Sequence, residues 1–183
     1  GICGIVPMDE SKFEFKSYYT GFFSLNYVTQ GLNQSIVAVI IPIYLLNILG
    51  SITGSEIAYI GSIALLPWGV KFLFGILSDR IGFGKFGRRK PWIIGSLSYG
   101  GILWIIVPFL LTPNNAIIVF TVMAFLINIG IAMGDTALDG MILDICPKEK
   151  LGRTQGICWS GRSLGAIAGG PIIAVIILFI PVE

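Results

Sequence analysis

The sequence predicts an all-α, polytopic membrane helix bundle of five transmembrane helices, and three observations carry that prediction. Hydrophobic residues make up 55% of the 183-residue chain and charged residues only 12%, where an ordinary soluble domain carries about 25% charged residues. The apolar residues gather into five runs long enough to cross the hydrocarbon core, a crossing that takes about 20 residues of helix. The basic residues outside these runs fall on one side only. The mean hydropathy of +0.87 agrees, and the small net charge of +2 gives no reason to expect nucleic acid as a partner.

The chain opens with GICGIVPM. This stretch is too short and lacks the basic flank of a signal peptide. With Gly1 in place of Met, the chain is expected to be trimmed at the front. Residues 1–17 read as a polar cytoplasmic lead-in and residues 18–183 as the bundle. The predicted spans run from Tyr18 to Leu49, Glu56 to Ser78, Pro91 to Leu111, Asn115 to Ile145, and Gln155 to Ile180. Backbone groups in lipid must be satisfied within the segment, and no alternating barrel pattern is present, so each span is a helix.

Orientation follows from the connections. The segment Gly50–Ser55 and the tripeptide Thr112-Pro113-Asn114 contain no Lys or Arg. The connection DRIGFGKFGRRK holds Arg80, Lys85, Arg88, Arg89 and Lys90. The next one on that side holds Lys148, Lys150 and Arg153, and the lead-in holds Lys12 and Lys16. Basic residues collect on the cytoplasmic side. The N-terminus and the basic loops are therefore expected inside.

Away from the span ends, four charges lie within the spans: Lys71, Arg162, Asp135 and Asp139. Charged groups there are costly, about 2.5–3.5 kcal/mol each on insertion scales, and normally face a protein interior or a water cavity and pair. Asp135 and Asp139 are four residues apart and share a helix face. At about 1.5 Å per residue, Lys71 and Arg162 lie about 10 Å from the inner ends of their helices. The four are expected to form one charge network at the cytoplasmic end. It reads first as a fixed structural clamp, next as a moving gate, and last as a site handling protons or substrate directly.

The first helix carries a different pattern. Asn26, Gln30 and Asn33 recur at helical spacing, with Tyr27 and Gln34 one position round. This polar face suits a water-filled cavity that binds solute. Hydrogen bonds gluing helix to helix are the other reading. In the fifth helix Gly161, Gly165 and Gly169 recur every fourth residue, a spacing that lets helices approach closely.

Several chemistries find no support. There is no histidine, the commonest metal ligand. Cys3, Cys146 and Cys158 have no metal-like spacing, and cytoplasmic disulfides are rare. GFGKFG follows no strand, so it is not a phosphate loop. No cofactor, metal site or enzyme activity is expected.

The segment Gly75-Ile76-Leu77-Ser78-Asp79-Arg80, followed by Gly87-Arg88-Arg89-Lys90-Pro91, resembles the signature of the major facilitator superfamily. An acidic helix end beside an arginine-rich turn makes an ion-pair latch, which assigns Gly75, Asp79, Arg80, Gly87, Arg88 and Arg89 to it. The chain departs from the short form by five inserted residues, Gly82–Phe86. LPWGVKFLFGILSDR, GDTALDGMILDICPKEKLGR and WSGRSLGAIAGG together look like the branches that transport muropeptides, acetyl-CoA, folates and biopterins, or cation-coupled sugars. The resemblance implies twelve helices in two six-helix halves around a central cavity, with helices one and four lining it. The chain then reads as five helices of an incomplete N-terminal half, a fragment of a longer transporter or the product of a truncated gene. It implies a secondary active transporter of a small organic solute, coupled to H+ or Na+, in the cell membrane. A non-transport membrane scaffold or assembly factor is the competing expectation.

Overall fold

The computed structural model describes residues 15–50, 52–82 and 87–179. Most of the expected lead-in, with Cys3 and Lys12, lies outside the described residues, as do Lys85 and most of the inserted segment. The described residues form five helical rods and no strand.

Rod one is α1 (Ser17–Ser35), a π-helical turn at Ile36–Ile40, and α2 (Ile41–Leu49). Pro42 explains the wide turn. Its ring would clash with the carbonyl four residues back, and it has no N–H to give it, so the coil widens just before it. Rod one ends at Gly50, whose φ of 66° is the left-handed conformation that closes helices. Rod two begins at Gly54, earlier than its hydropathy suggests. Thr53 and Glu56 form a reciprocal capping box, with Thr53 N–H donating to Glu56 Oε2 at 2.8 Å and Glu56 N–H to Thr53 Oγ1 at 3.3 Å.

Rod two is not one helix. α3 (Gly54–Gly69) contains Pro67, and the helix breaks at Val70 before α4 (Lys71–Arg80). Rod three is α5 (Lys90–Leu110) and rod four is α6 (Ala116–Ile145). Asn115 ties the turn between them, accepting from Thr112 N–H at 2.8 Å and donating to Leu110 O at 3.1 Å. Rod five is α7 (Lys148–Ile167), a second π-helical turn at Ala168–Ile172 that contains Pro171, and α8 (Ile173–Phe179).

The start of rod five corrects the sequence expectation. The helix begins at Lys148, directly after Pro147, rather than at Gln155. Hydropathy locates where a helix enters lipid, whereas proline at the cap and Glu149 in the first turn decide where it starts. Lys148, Lys150 and Arg153 are therefore helical residues, not loop residues.

Rods one, two, three and four are long and apolar enough to cross a membrane over Ser17–Asn47, Gly54–Arg80, Lys90–Leu110 and Ala116–Ile145. Over the described residues, rod five, whose first half carries Lys148, Glu149, Lys150, Arg153 and Arg162, is not one of these four. It is held by packing. α7 runs along α1 in the most extensive helix pair of the fold, and rod four is the hub for rods two and three. A methyl group at Gly165 would stand 2.1 Å from Val28 O, and one at Gly31 would stand 2.0 Å from Arg162 O. Ser35 Oγ donates to Ala166 O at 2.7 Å across the same seam. Lipid tails are as apolar as leucine, so backbone approach and such bonds hold helices together where the hydrophobic effect does not.

The apolar core has two parts. Phe23, Tyr27, Leu138 and Ile142 centre the one near the C-terminal end of α6. Ile41, Leu45, Ile60, Phe120 and Ile127 centre the other. Large apolar side chains such as Phe72, Ile105, Phe109 and Ile118 cover the perimeter, the surface that lipid requires. The chain is an integral membrane protein.

Candidate functional site

The break in rod two places a cation at the centre of the bundle. Lys71 is the first residue of α4, immediately after Val70 at φ −102° and ψ 13°. Its ammonium donates to Asp135 and, at 3.2 Å, to Asp139 Oδ2. The two carboxylates are one turn apart on α6 and face the same way. From rod one, the Tyr27 hydroxyl donates to Asp139 Oδ1. Three rods thus meet at a single acidic pair. Asp135 is 3% exposed, while Lys71 and Asp139 are about one-third exposed.

Arg162 does not join this group, contrary to the expected four-residue network. Its Nη2 donates to Gln34 Oε1 at 3.0 Å. Its guanidinium carbon lies 5.4 Å from the ring centre of Trp68 and 5.0 Å from that of Trp159. The reason is packing: α7 is committed to α1 through glycine contacts, and this directs Arg162 to Gln34 rather than to α6. With both carboxylates ionised, the remaining trio holds two negative charges against one positive. Of the three, only Asp135 is buried, and its carboxylate is the one that most needs the ammonium.

The polar face of rod one divides. Tyr27, expected in a cavity, is 2% exposed and sits in the core against Asp139. A hydrophobic ring with one polar tip satisfies a buried carboxylate well. Gln30 and Asn33 line two cavities at once. The first, about 310 Å³, lies among rods one, two, four and five, with Gln34, Trp68, Asn128 and Arg162 in its wall. The second, about 370 Å³, lies among rods one, three and four, with Asn26, Trp104 and Asp135 in its wall. Two indoles cap two amides: Trp68 Nε1 donates to Asn128 Oδ1 at 2.9 Å and Trp104 Nε1 to Asn33 Oδ1 at 3.0 Å. Asn26 bonds back to Phe22 O in its own helix at 3.0 Å. Gln30 is 5% exposed, and its Oε1 is buried without a partner.

At the junction of rods two and three, Arg89 bridges two carboxylates, Asp79 at 2.9 Å and Asp144 at 2.6 Å. Arg88 approaches Asp144 at 3.8 Å. Arg80 is exposed and makes no ion pair among the described residues. Gly87, at φ +79°, takes the left-handed turn that carries the chain into Arg88 and Arg89. Gly75 brings α4 against Thr136 of α6, whose methyl a Cβ at position 75 would meet at 3.3 Å.

Sequence reasoning missed Asp144, Gly140, Trp68, Trp104 and Asn128. Asn128 had a signal, as an isolated amide in the apolar run FLINIGIAM of the kind that marks function in a span. Trp68 precedes Lys71 by three residues and so shares its face, and Lys71 Nζ lies 5.7 Å from its ring centre. Gly140 had none. Its place depends on Arg89 lying across α6, where a Cβ would meet Nη1 at 1.9 Å.

The family model for the Major Facilitator Superfamily matches residues 23–181. The chain belongs to this superfamily. Among similar proteins, one named as a folate-biopterin transporter, number 4 of Arabidopsis thaliana, is 27% identical over 148 residues, covering 79% of this chain and 30% of that protein. One named as AmpG transporter 1 of Rickettsia felis is 32% identical over 114 residues, covering 60% and 25%. An uncharacterised protein of Schizosaccharomyces pombe is 29% identical over 164 residues, covering 84% and 30%. The chain spans less than one-third of the length of these curated relatives. No solved structure matches it.

Proposed function

We propose that this chain forms part of the N-terminal half of a secondary active transporter that moves a small organic solute across a membrane by alternating access, coupled to H+ or Na+, and that it has no enzymatic role. The transporter names of its relatives and its membership of the superfamily support transport. The single observation that supports coupling is the uneven trio of Lys71, Asp135 and Asp139. Departure of Arg162 leaves that trio one charge short of neutral, so a proton or a sodium ion completes it. Asp139, about one-third exposed and held by the Tyr27 hydroxyl, is the carboxylate an entering cation meets.

In this reading the first cavity receives the solute, with Gln30, Asn33 and Gln34 in its wall. Rocking of one half against the other exposes a midplane site to each side in turn. The Asp79–Arg89–Asp144 bridge holds rods two, three and four together on the cytoplasmic side. That orientation, with the N-terminus inside, rests on the distribution of Lys and Arg. The plasma membrane is the expected location, and a second helical half is the expected partner.

The test is solute uptake by cells expressing the full-length gene with Asp139→Asn. Accumulation against a gradient should fall to equilibration, with loss of its dependence on external pH or sodium. Unchanged accumulation with an unchanged ion dependence would remove Asp139 from the mechanism. A protein that moves no solute while assembling normally with another membrane protein would favour a scaffold.

A further inference from the structure

We propose that a third cavity, between the starts of rods one and five, holds the phosphate of an anionic phospholipid, gripped by Lys150 and Arg153, with the acyl chains lying along the outer flank of the seam between the two rods. This cavity shares no lining residue with the two described above, and the site does not depend on the transport reading.

The cations are the first support. The cavity measures about 370 Å³, a size typical of ligand pockets. Lys150 and Arg153 line it together with two hydroxyl residues, Ser17 and Thr20. Among the described residues no carboxylate comes within ion-pair distance of either cation, and that includes Glu149, one turn before Arg153. The contrast lies at the same basic end of the bundle, where Arg89 holds two carboxylates. Lys150 Nζ instead lies 6.0 Å from the ring centre of Phe15, another residue of the wall. An aromatic face holds an ammonium without neutralising it. The guanidinium offers a fork to two phosphate oxygens, the ammonium a compact charge to a third, and the hydroxyls further donors.

The surroundings are the second support, and they select a lipid over a free phosphate. α1 and α7 run side by side in the same direction, with Gly161 against Ser24, Gly165 against Val28 and Gly169 against Leu32. Two apolar tracks leave the cavity along these helices. On α1, Gly21 belongs to the wall, and Leu25, one turn further on the same face, is 60% exposed. On α7, Ile157 belongs to the wall and is 40% exposed, and Leu164, two turns further, is 65% exposed. A molecule with its charge in the cavity therefore meets apolar surface along both rods. In the orientation proposed above this end of the bundle faces the cytoplasmic leaflet, whose anionic lipids attract Lys and Arg near its surface.

The probe is dioleoylphosphatidylglycerol, with dioleoylphosphatidylcholine as the zwitterion of the same chains and inorganic phosphate as the anion without chains. Native mass spectrometry of the full-length protein in detergent counts the lipid retained, and circular dichroism verifies the folding of each variant. The wild type should retain one phosphatidylglycerol in preference to phosphatidylcholine by about tenfold or more. Lys150→Gln combined with Arg153→Gln should erase that preference. Lys16→Gln combined with Lys148→Gln removes the same charge at the same end but outside the cavity wall, and should leave most of it. Gly21→Phe, at a wall position where an added Cβ meets nothing within 4 Å, should displace the lipid with every charge in place. Equal losses from the two double variants in folded protein would mean diffuse attraction to a basic end and overturn the proposal. Displacement of the lipid by millimolar inorganic phosphate would mean a site for a soluble anion and overturn it too, as would a wild type that retains the two lipids equally or a folded Gly21→Phe that keeps the lipid.

Discussion

Arg89 Nε lies 2.6 Å from Asp144 Oδ2 while Arg89 Nη2 lies 2.9 Å from Asp79 Oδ1, so one guanidinium fastens the end of rod two to the far end of rod four. Arg89 is 13% exposed, against 53% for Asp79 and 39% for Asp144. Each carboxylate is thus half in solvent, and either one alone contributes little. Asp79→Asn or Asp144→Asn should each lower stability by about 1 kcal/mol or less. The double variant strips Arg89 of both partners, and should exceed the sum of the singles by about 0.5–1 kcal/mol. Thermal unfolding in detergent measures the three, and strict additivity would mean that no shared latch exists.

Gly140 provides a second route to the same bridge. A methyl group there meets Arg89 Nη1 at 1.9 Å, so the guanidinium must shift from its place across α6. Gly140→Ala should therefore resemble Arg89→Gln in stability, and the two together should cost no more than either alone. Independent, summed losses would show that Arg89 does not lie across α6.

The seam between rods one and five distinguishes its glycines. Gly165→Ala drives a methyl into Val28 O at 2.1 Å, a backbone atom that cannot step aside, and should cost about 1–3 kcal/mol or more. At Gly156 nothing lies within 4 Å, and alanine there should be neutral or stabilise by up to about 1 kcal/mol through helix propensity. Comparable melting temperatures for the two variants would contradict this packing.

Among the described residues, Lys71 is the only cation ion-paired with the acidic pair. Lys71→Met should destabilise by about 3–5 kcal/mol, because it strands Asp135 as a buried, unpaired charge. Lys71→Met combined with Asp135→Asn should recover a substantial part. The yield of folded, monodisperse protein after detergent extraction reports both, and failure of the second change to rescue the first would show that the ion pair is not what Lys71 supplies.

Orientation is open to a labelling test. Arg80 is exposed and outside the ion-paired bridge. In a background with Cys3, Cys146 and Cys158 replaced by serine, Arg80→Cys should react with a membrane-impermeant maleimide only after the cells are permeabilised. Reaction in intact cells would invert the topology.

The five rods were legible because lipid imposes a length and a composition that hydropathy reads directly. The broken helix at Val70 was not, although Pro67 lay in view, because a proline inside a span is often accommodated without a break. The start of rod five was misread for a related reason: a helix that continues into water looks like a loop to a scale that measures oil. In the site, the sequence expected Lys71, Asp135, Asp139 and Arg162 in one network; the structure brings Lys71 to both aspartates and takes Arg162 to Gln34, and only the shared face of the aspartates, four apart on one helix, follows from spacing.

Sequence alone determined that the chain spans a membrane in helices, that its basic residues gather on one side, and that charges inside the spans require partners. These follow from the cost of exposing backbone and charge to hydrocarbon, which each segment meets by itself. Only the tertiary structure decided which charges pair. The close glycine seam commits rod five to rod one, so Arg162 goes to Gln34 and two indoles, Lys71 is left with both aspartates, and Tyr27 turns from the cavity into the core. Partner choice depends on distances between rods, and no spacing along one rod encodes those.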